Sequence, residues 1–550
     1  MSSGKREFHQ NGFIKNYIIE EPLGFEPDER GLGYLYFTSM KRHKNKIAQY
    51  LADTEEEDTY DDFLRRTVRT ALELRKRDLS KDDVVCLCSY NHKNSVVPFV
   101  ACNFLGVRVA SLDPLLSLMD TAHLVSEVKP KIIFVVPEAL KLIETSLKKT
   151  GLNIEIVLFD ELGTSDKHTN FSEFLQFQEE EETFIPESVS SLRETAVIFF
   201  SSGTTGFPKG IETNHYALIC QSINYIQSGN LGNVALSYTS LYWISSVLFT
   251  TATIFTGSAR VVCPAFNPKQ FWQLVEKYKV TNMAGAPSQA VDIIKAGRPD
   301  GLDTTSFVSC MIGGATMSKK FTLELRDLLP GTFVAMAYGQ TEVAGLVTTF
   351  QIKHVKDALA LHYKPESVGR LVPGMKCKVV DFETEKLCGP NESGELMLKT
   401  PMVMNGYYGR DSSESFDADG WLKTGDVVYY DEEKFFYIVD RIKEMLKYRS
   451  WHVAPAVVEK IVLEHPAVQR VVVIGIPHEE DGDHPMAVVV LNPEYAESIT
   501  EEDIQGFVAE KAPDRMRLRG GVKFVSSIPI TPSGKMKRKH IRDMVMNGSI

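Results

Sequence analysis

The sequence predicts an α/β fold. A large N-terminal multi-subdomain region holds two parallel-type sheets with helices plus a small β-rich subdomain, and a small mobile α+β domain follows. Three observations predict it. Short continuous apolar runs alternate with amphipathic segments through the first half of the chain, the texture turns to short strands and Gly, Asp and Asn turns after about residue 365, and a compact mixed pattern closes the chain. At 550 residues the chain is too long for one core, so several subdomains are expected.

Taken in order, "DVVCLCS", "VRVASL", "KIIFVV", "IEIVLF", "TAVIFF", "ARVVCP" and "FVSCMIGG" read as strands. Segments such as "TYDDFLRRTVRTALELRKR", "NSVVPFVACNFLG" and "NPKQFWQLVEKYK" read as the helices between them. Strands that are apolar throughout, with no polar alternation, belong to parallel sheets covered on both faces. The acidic stretch from Glu179 to Glu194 has no apolar period and reads as an exposed connection. Beyond residue 365, "SVGRLVPGMKCKVVD", "ESGELMLKTP" and the run from Asp417 to Arg441 suggest the β-rich subdomain. The last segment reads helix "APAVVEKIVLEHP", strand "VQRVVVIGIP", strand "MAVVVLN", helix "EEDIQGFVAEKA" and strand "GVKFVSSI". The boundary is placed at Asp440, giving a large domain of residues 1–440 and a small mobile domain of residues 441–550.

Acids outnumber bases to a net charge of −11, and nothing suggests a nucleic-acid partner. The short basic run Lys535-Met536-Lys537-Arg538-Lys539-His540 reads as a solvated helix start. Eight scattered cysteines fit buried free thiols in a reducing compartment, and alternation in "VVCLCSY" puts Cys86 and Cys88 on one strand face. The N-terminus lacks an apolar signal core and "NGSI" is not a Ser-Lys-Leu peroxisomal address, so the cytosol is the expected location. The uncharged stretch from Leu231 to Ala259 is rich in Ser, Thr and Gly and lies between two strand-like segments. It is expected to form a buried helix, not a membrane span.

Chemistry concentrates first in "SSGTTGFPKG", Ser201 to Gly210, a polar loop after the strand "TAVIFF" and before a helix that Asn214 can cap. Glycines let backbone N–H groups turn toward a ligand, hydroxyls add neutral donors, and Lys209 supplies a mobile cation. Together they can wrap a polyphosphate, although the spacing is not that of a Walker A loop. Four further motifs follow in order: "AYGQTE" at Ala337–Glu342, "GWLKTGD" at Gly420–Asp426, "DRIKEMLKYRSWHVAP" at Asp440–Pro455 and "TPSGKMKRK" at Thr531–Lys539.

These five ordered motifs resemble the signatures of the adenylate-forming enzymes, which include acyl-CoA synthetases, coumarate-type CoA ligases and insect luciferases. The resemblance implies a reaction in which a carboxylate attacks ATP, pyrophosphate leaves, and the acyl group passes to the thiol of coenzyme A. It implies ATP, Mg²⁺ and coenzyme A as cofactors or co-substrates, with an apolar, medium- or long-chain fatty acid as partner. Residue by residue, Ser201, Ser202, Gly203, Thr204, Thr205, Gly206 and Lys209 match the loop that holds the β- and γ-phosphates. Tyr338, beside Gly339, matches the aromatic that stacks on adenine, and Gly313, Gly314 and Ala315 match the wall behind it. Thr341 matches a donor to the α-phosphate and Glu342 the Mg²⁺ ligand, a hard cation calling for an oxygen. Asp426 and Arg441 match the ribose contacts. Lys535 matches the lysine that bridges carboxylate and α-phosphate, Lys447 the lysine of the thiol-transfer half, and Lys443 the hinge between the two. The acid pocket is expected to involve Trp243, Ser245 and Gly285, from the segments Leu241–Thr256 and Ala284–Ser288, together with Gly313–Ala315. Trp243 falls at the family's substrate-orienting histidine, where an indole can gate a hydrophobic tunnel. Ser450 stands where relatives carry a glycine beside the coenzyme A arm. A luciferase-type monooxygenase and a silent nucleotide- or acyl-binding relative are the alternative readings.

Overall fold

The structure is a computed structural model that describes residues 17–159, 167–201, 208–382, 384–449, 451–529 and 536–550. It is mixed α/β, with three sheets in a large N-terminal region and a smaller C-terminal unit built on a fourth.

The first large sheet has eight strands, with Val84–Cys88, Arg108–Leu112, Ile132–Val135 and Glu155–Leu158 in parallel at its centre. Val84–Cys88 is buried at all five positions, which is why its sequence shows no polar alternation. Cys86 and Cys88 pack into the same core cluster, and all eight cysteines are buried free thiols. Thr195–Ser201 joins this sheet in parallel through Val109–Val197 and Ala110–Ile198. Lys209 and Gly210, expected at the end of a loop, lie instead in a strand. Lys209–Asn214 forms a strand antiparallel to Thr195–Ser201, with Lys209 opposite Ser201, and the helix His215–Gln227 starts only afterwards. Asn214 caps that helix by accepting from Ala217 N at 2.9 Å.

The second large sheet has nine strands, and its parallel centre includes Asn282–Gly285, Ser309–Gly313 and Phe333–Gln340. Between strands Val234–Leu236 and Ala259–Val262 lies the helix Ile244–Thr256, buried from Ser246 to Ile254. Among the described residues no helix is long and apolar enough to cross a membrane. One contiguous core runs between the sheets, with Trp272, Tyr36 and Phe63 nearly inaccessible. Burying each such side chain contributes roughly 2 kcal/mol or more.

The β-rich subdomain is a five-stranded sheet in the order Ile19–Glu21, Met375–Val380, Gly394–Lys399, Leu422–Tyr430 and Phe436–Arg441. The N-terminal strand Ile19–Glu21 pairs with Met375–Cys377, a long-range pairing that three residues cannot announce. The last sheet contains Leu446–Tyr448, Trp451–Val453, Val468–His478, Gly482–Leu491 and Gly521–Phe524. Helices Pro455–Leu463 and Glu501–Lys511 enclose its own core around Val458, Val471, Val473 and Val489.

Candidate functional site

Two sheets converge on one carboxylate. Asp426 lies in Leu422–Tyr430 of the β-rich sheet, opposite Arg441 in the antiparallel partner strand, and is 3 % exposed. Arg441 Nε approaches its Oδ1 at 3.2 Å. From the nine-stranded sheet, the Tyr338 hydroxyl donates to Asp426 Oδ2 at 2.5 Å, and Gln340 Nε2 donates to the same oxygen at 3.2 Å. Gln340 Nε2 also reaches Thr424 O at 2.8 Å. Burial, then the charge of Asp426, pushes the Tyr338 phenol well above its ordinary range, so it stays protonated and donates. Burial opposes charge on Arg441, but Asp426 outweighs it and holds the guanidinium above its ordinary pKa.

The path of the chain through this point leaves no room for a side chain at Gly339. A Cβ there would stand 2.4 Å from Gly345 O, where the strands Phe333–Gln340 and Gly345–Thr349 shift register between Tyr338 and Gly339. That shift directs Tyr338 and Gln340 toward Asp426 and delivers the next turn, Thr341–Val343. Glu342 on that turn is part-buried, and burial pushes its carboxyl pKa up. The Tyr407 hydroxyl stands 3.4 Å from Glu342 Oε1, and the Lys209 ammonium lies 5.2 Å from the centre of the Tyr407 ring. Tyr407 therefore links the base of the Ser201–Lys209 loop to Glu342.

Gly313 ends its strand with a Cβ position 3.1 Å from Ala337 O, Gly314 turns at φ 87°, and Gly314 and Ala315 are exposed. Ser201 is part-buried at the end of its strand, and its hydroxyl accepts from Lys209 N at 3.4 Å. Ser202, Gly203, Thr204, Thr205, Gly206, Ser450 and Lys535 lie outside the described residues.

The remaining predicted residues stand apart from this cluster. Trp243 caps no helix N–H; it packs edge-on against Tyr242 at 5.0 Å, at the edge of the core cluster that holds Tyr242. Ser245 is exposed and Gly285 part-buried. Cavities beneath this region are lined by Leu241, Ser246, Phe249 and Thr250 from the predicted pocket segment, with Asn91 and Arg260, and not by Trp243, Ser245 or Gly285. Lys443 is exposed on the short turn Ile442–Glu444. Lys447 is exposed on Leu446–Tyr448, its backbone N donating to Asp483 Oδ2 at 3.1 Å.

Sequence reasoning missed Tyr407 and Gln340. Gln340 sits inside "AYGQTE" and was within reach, but nothing around "NGYYGR" marks Tyr407 as a partner of Glu342. It also missed Glu127, whose Oε1 accepts from Gly210 N at 3.3 Å and pairs with Arg410 at 3.1 Å, bracing the start of the strand Lys209–Asn214.

Comparison with known proteins matches residues 36–408 to the model described as AMP-binding enzyme, and residues 457–535 to the AMP-binding enzyme C-terminal domain. The chain belongs to the AMP-binding enzyme family. This AMP-binding enzyme is 31% identical over 543 residues to a luciferin 4-monooxygenase of Photuris pensylvanica, covering 96% of this chain and 98% of that one. It is also 31% identical over 512 residues to 4-coumarate–CoA ligase-like 9 of Arabidopsis thaliana, covering 91% and 87%. Among solved structures, the luciferase-like enzyme of the nonluminescent Zophobas morio mealworm matches with a TM-score of 0.74 at 36% identity, over 78% of this chain and 99% of that one. The AMP-binding enzyme thus lies in the adenylate-forming superfamily, among relatives named as luciferases and as CoA ligases.

Proposed function

We propose that this AMP-binding enzyme is an ATP-dependent acid–CoA ligase that activates an apolar, medium- or long-chain fatty acid. The observation that carries the reading is the Tyr338–Asp426–Arg441 cluster with Glu342 and Lys209 beside it: one buried anion that can take two ribose hydroxyls, next to groups suited to a metal-bound polyphosphate. Nucleoside binding would exchange the Tyr338 and Gln340 donors on Asp426 for ribose hydroxyls and free the Tyr338 ring to face adenine. Gly313, Gly314 and Ala315 would let adenine approach backbone closely. Ser201, Lys209 and the loop between them would hold the leaving pyrophosphate.

Glu342 fits a magnesium ion: its carboxylate is part-buried, and its one described side-chain partner is the distant Tyr407 hydroxyl. Bound there, Mg²⁺ would neutralise triphosphate charge. Thr341 is assigned as a donor to the α-phosphate, and Lys535 is assigned to the carboxylate and α-phosphorus. The carboxylate oxygen attacks that phosphorus, the bond to the bridging oxygen breaks, and pyrophosphate leaves. The thiol of coenzyme A then attacks the acyl carbon and AMP departs.

Lys447 is assigned to this second step, in a mobile domain of residues 441–550 that turns at Lys443 against the domain of residues 1–440. The exposed pair Lys460–Glu366 at 3.1 Å supports such a movement, because exposed ion pairs hold two surfaces together only weakly. The reading places the enzyme in the cytosol. Incubation with ATP, Mg²⁺, coenzyme A and a fatty acid, followed by mass spectrometry, tests it: a thioester that needs all four supports the reading, and acyl-AMP with no thioester refutes its second half.

A luciferase-type reading draws on the luciferin 4-monooxygenase relatives. Trp243 at the expected place of the substrate-orienting histidine speaks against it, and photon counting with luciferin, ATP and Mg²⁺ decides it.

A further inference from the structure

The hairpin joining Val468–His478 to Gly482–Leu491 carries a cluster that the proposed chemistry does not use. His478, Asp481 and His484 each offer one ligand atom, and these atoms all lie within 4.8 Å of one another. His484 Nε2 is 2.8 Å from Asp481 Oδ2, His478 Nδ1 is 3.7 Å from the same oxygen, and the two imidazoles stack with centres 4.0 Å apart. His478 Nδ1 accepts from Asp481 N at 3.2 Å, so that nitrogen carries a lone pair, as a ligand must. The other carboxylate oxygen is held from outside by Arg449 Nε at 2.5 Å. A ligating carboxylate supported on its far oxygen is the usual arrangement around a bound metal. Four carboxylates between Glu479 and Asp483 favour a cation at this tip.

We propose that His478, Asp481 and His484 bind a divalent transition-metal ion of the zinc class. Two imidazoles and one carboxylate suit Zn²⁺ and its neighbours and not Mg²⁺, which takes oxygen ligands. Ligand atoms around a tetrahedral zinc stand about 3.3 Å apart. The exposed His478 ring closes the present spacing by side-chain rotation, exchanging its long bond to Asp481 N for the metal. The fourth position is left to water. The ion would stiffen a hairpin tip that already meets the end of the strand bearing Lys447, since Arg449 N donates to Asp481 O at 2.8 Å and Tyr448 pairs with Gly482. The site stands independently of the acid–CoA ligase reading, since its ligands lie outside the nucleotide cluster.

The test is titration of the tag-free full-length protein with Co²⁺, read by its visible absorption, and with Zn²⁺ against a chromophoric chelator, in millimolar Mg²⁺. The expected result is one equivalent bound, with affinity falling at least about tenfold in His478→Ala and again in His478→Ala/His484→Ala. Zn²⁺ should also slow amide exchange in residues 478–484 of the wild type and not of the double variant. His478 is exposed, so its alanine variant leaves the fold intact. Wild-type affinity no better than that of the double variant, or equal protection in both, overturns the site.

Discussion

Arg441 and Asp426 face each other across two antiparallel strands, with Nε 3.2 Å from Oδ1, while Tyr338 from a different sheet holds Oδ2 at 2.5 Å. The carboxylate is thus a junction between two sheets as well as a candidate ribose acceptor. Asp426→Asn keeps the shape but removes the charge and one acceptor. It is expected to lower kcat/KM for ATP roughly a hundredfold, mostly through KM, with a smaller loss in Arg441→Ala. Steady-state kinetics at varied ATP checks this, and an unchanged KM in Asp426→Asn removes the ribose assignment.

Glu342 gives a pH dependence with a defined sign. Burial raises its carboxyl pKa above the ordinary 4.5, so a larger share is protonated in weak acid, and the protonated form is a poor ligand for Mg²⁺. The apparent affinity for Mg²⁺ with ATP is expected to weaken as pH falls, starting above the ordinary glutamate range. Glu342→Gln should bind weakly at every pH and lose that acid limb. An acid limb that persists in Glu342→Gln assigns it to another group.

The two lysines should separate the half-reactions. Lys535→Ala is expected to reduce acid-dependent AMP formation by a hundredfold to a thousandfold, roughly the effect of losing a charged donor at a transition state. Lys447→Ala should leave acyl-AMP formation near wild type and slow thioester formation. Single-turnover assays of each step check the pair, and equal losses in both steps for Lys447→Ala contradict its role.

His215 makes the fold acid-sensitive. Its Nδ1 accepts from Leu32 N at 3.2 Å and it is 1 % exposed, joining the start of one helix to the start of another. Burial depresses its pKa from 6.5 to about 4. A depressed histidine stabilises fully above 6.5, and that stability is lost as pH falls toward 4, amounting to about 3 kcal/mol. The unfolding temperature should drop between those values, and His215→Gln, which keeps an acceptor and cannot titrate there, should drop less. Equal slopes would remove His215 from the cause.

Much of this was legible in the sequence because burial writes itself locally. The all-apolar run at Val84–Cys88 signals a strand covered on both faces, and Asn214 before an apolar period signals a helix cap. The nucleotide-type motifs were readable because each keeps its residues within a few positions. What depends on distant partners was not readable. The strand Ile19–Glu21 exists only through Met375–Cys377. The strand Lys209–Asn214, with Lys209 and Glu212 in it, looks polar and short until Thr195–Ser201 pairs with it. Tyr407 has no meaning until the fold sets it between Glu342 and Lys209. The cavities beside Leu241 and Thr250 draw Asn91 and Arg260 from distant segments, a grouping that no local run of sequence announces.

The central claim is that this site joins a carboxylic acid to AMP. Exchange of labelled pyrophosphate into ATP, run with Mg²⁺ and a panel of fatty and aromatic acids, tests it most directly. The account predicts exchange that is absent without acid, strongest with a medium- or long-chain fatty acid, and, at ATP well below KM, reduced about a hundredfold in Asp426→Asn. ATP binding with no exchange for any acid would contradict it.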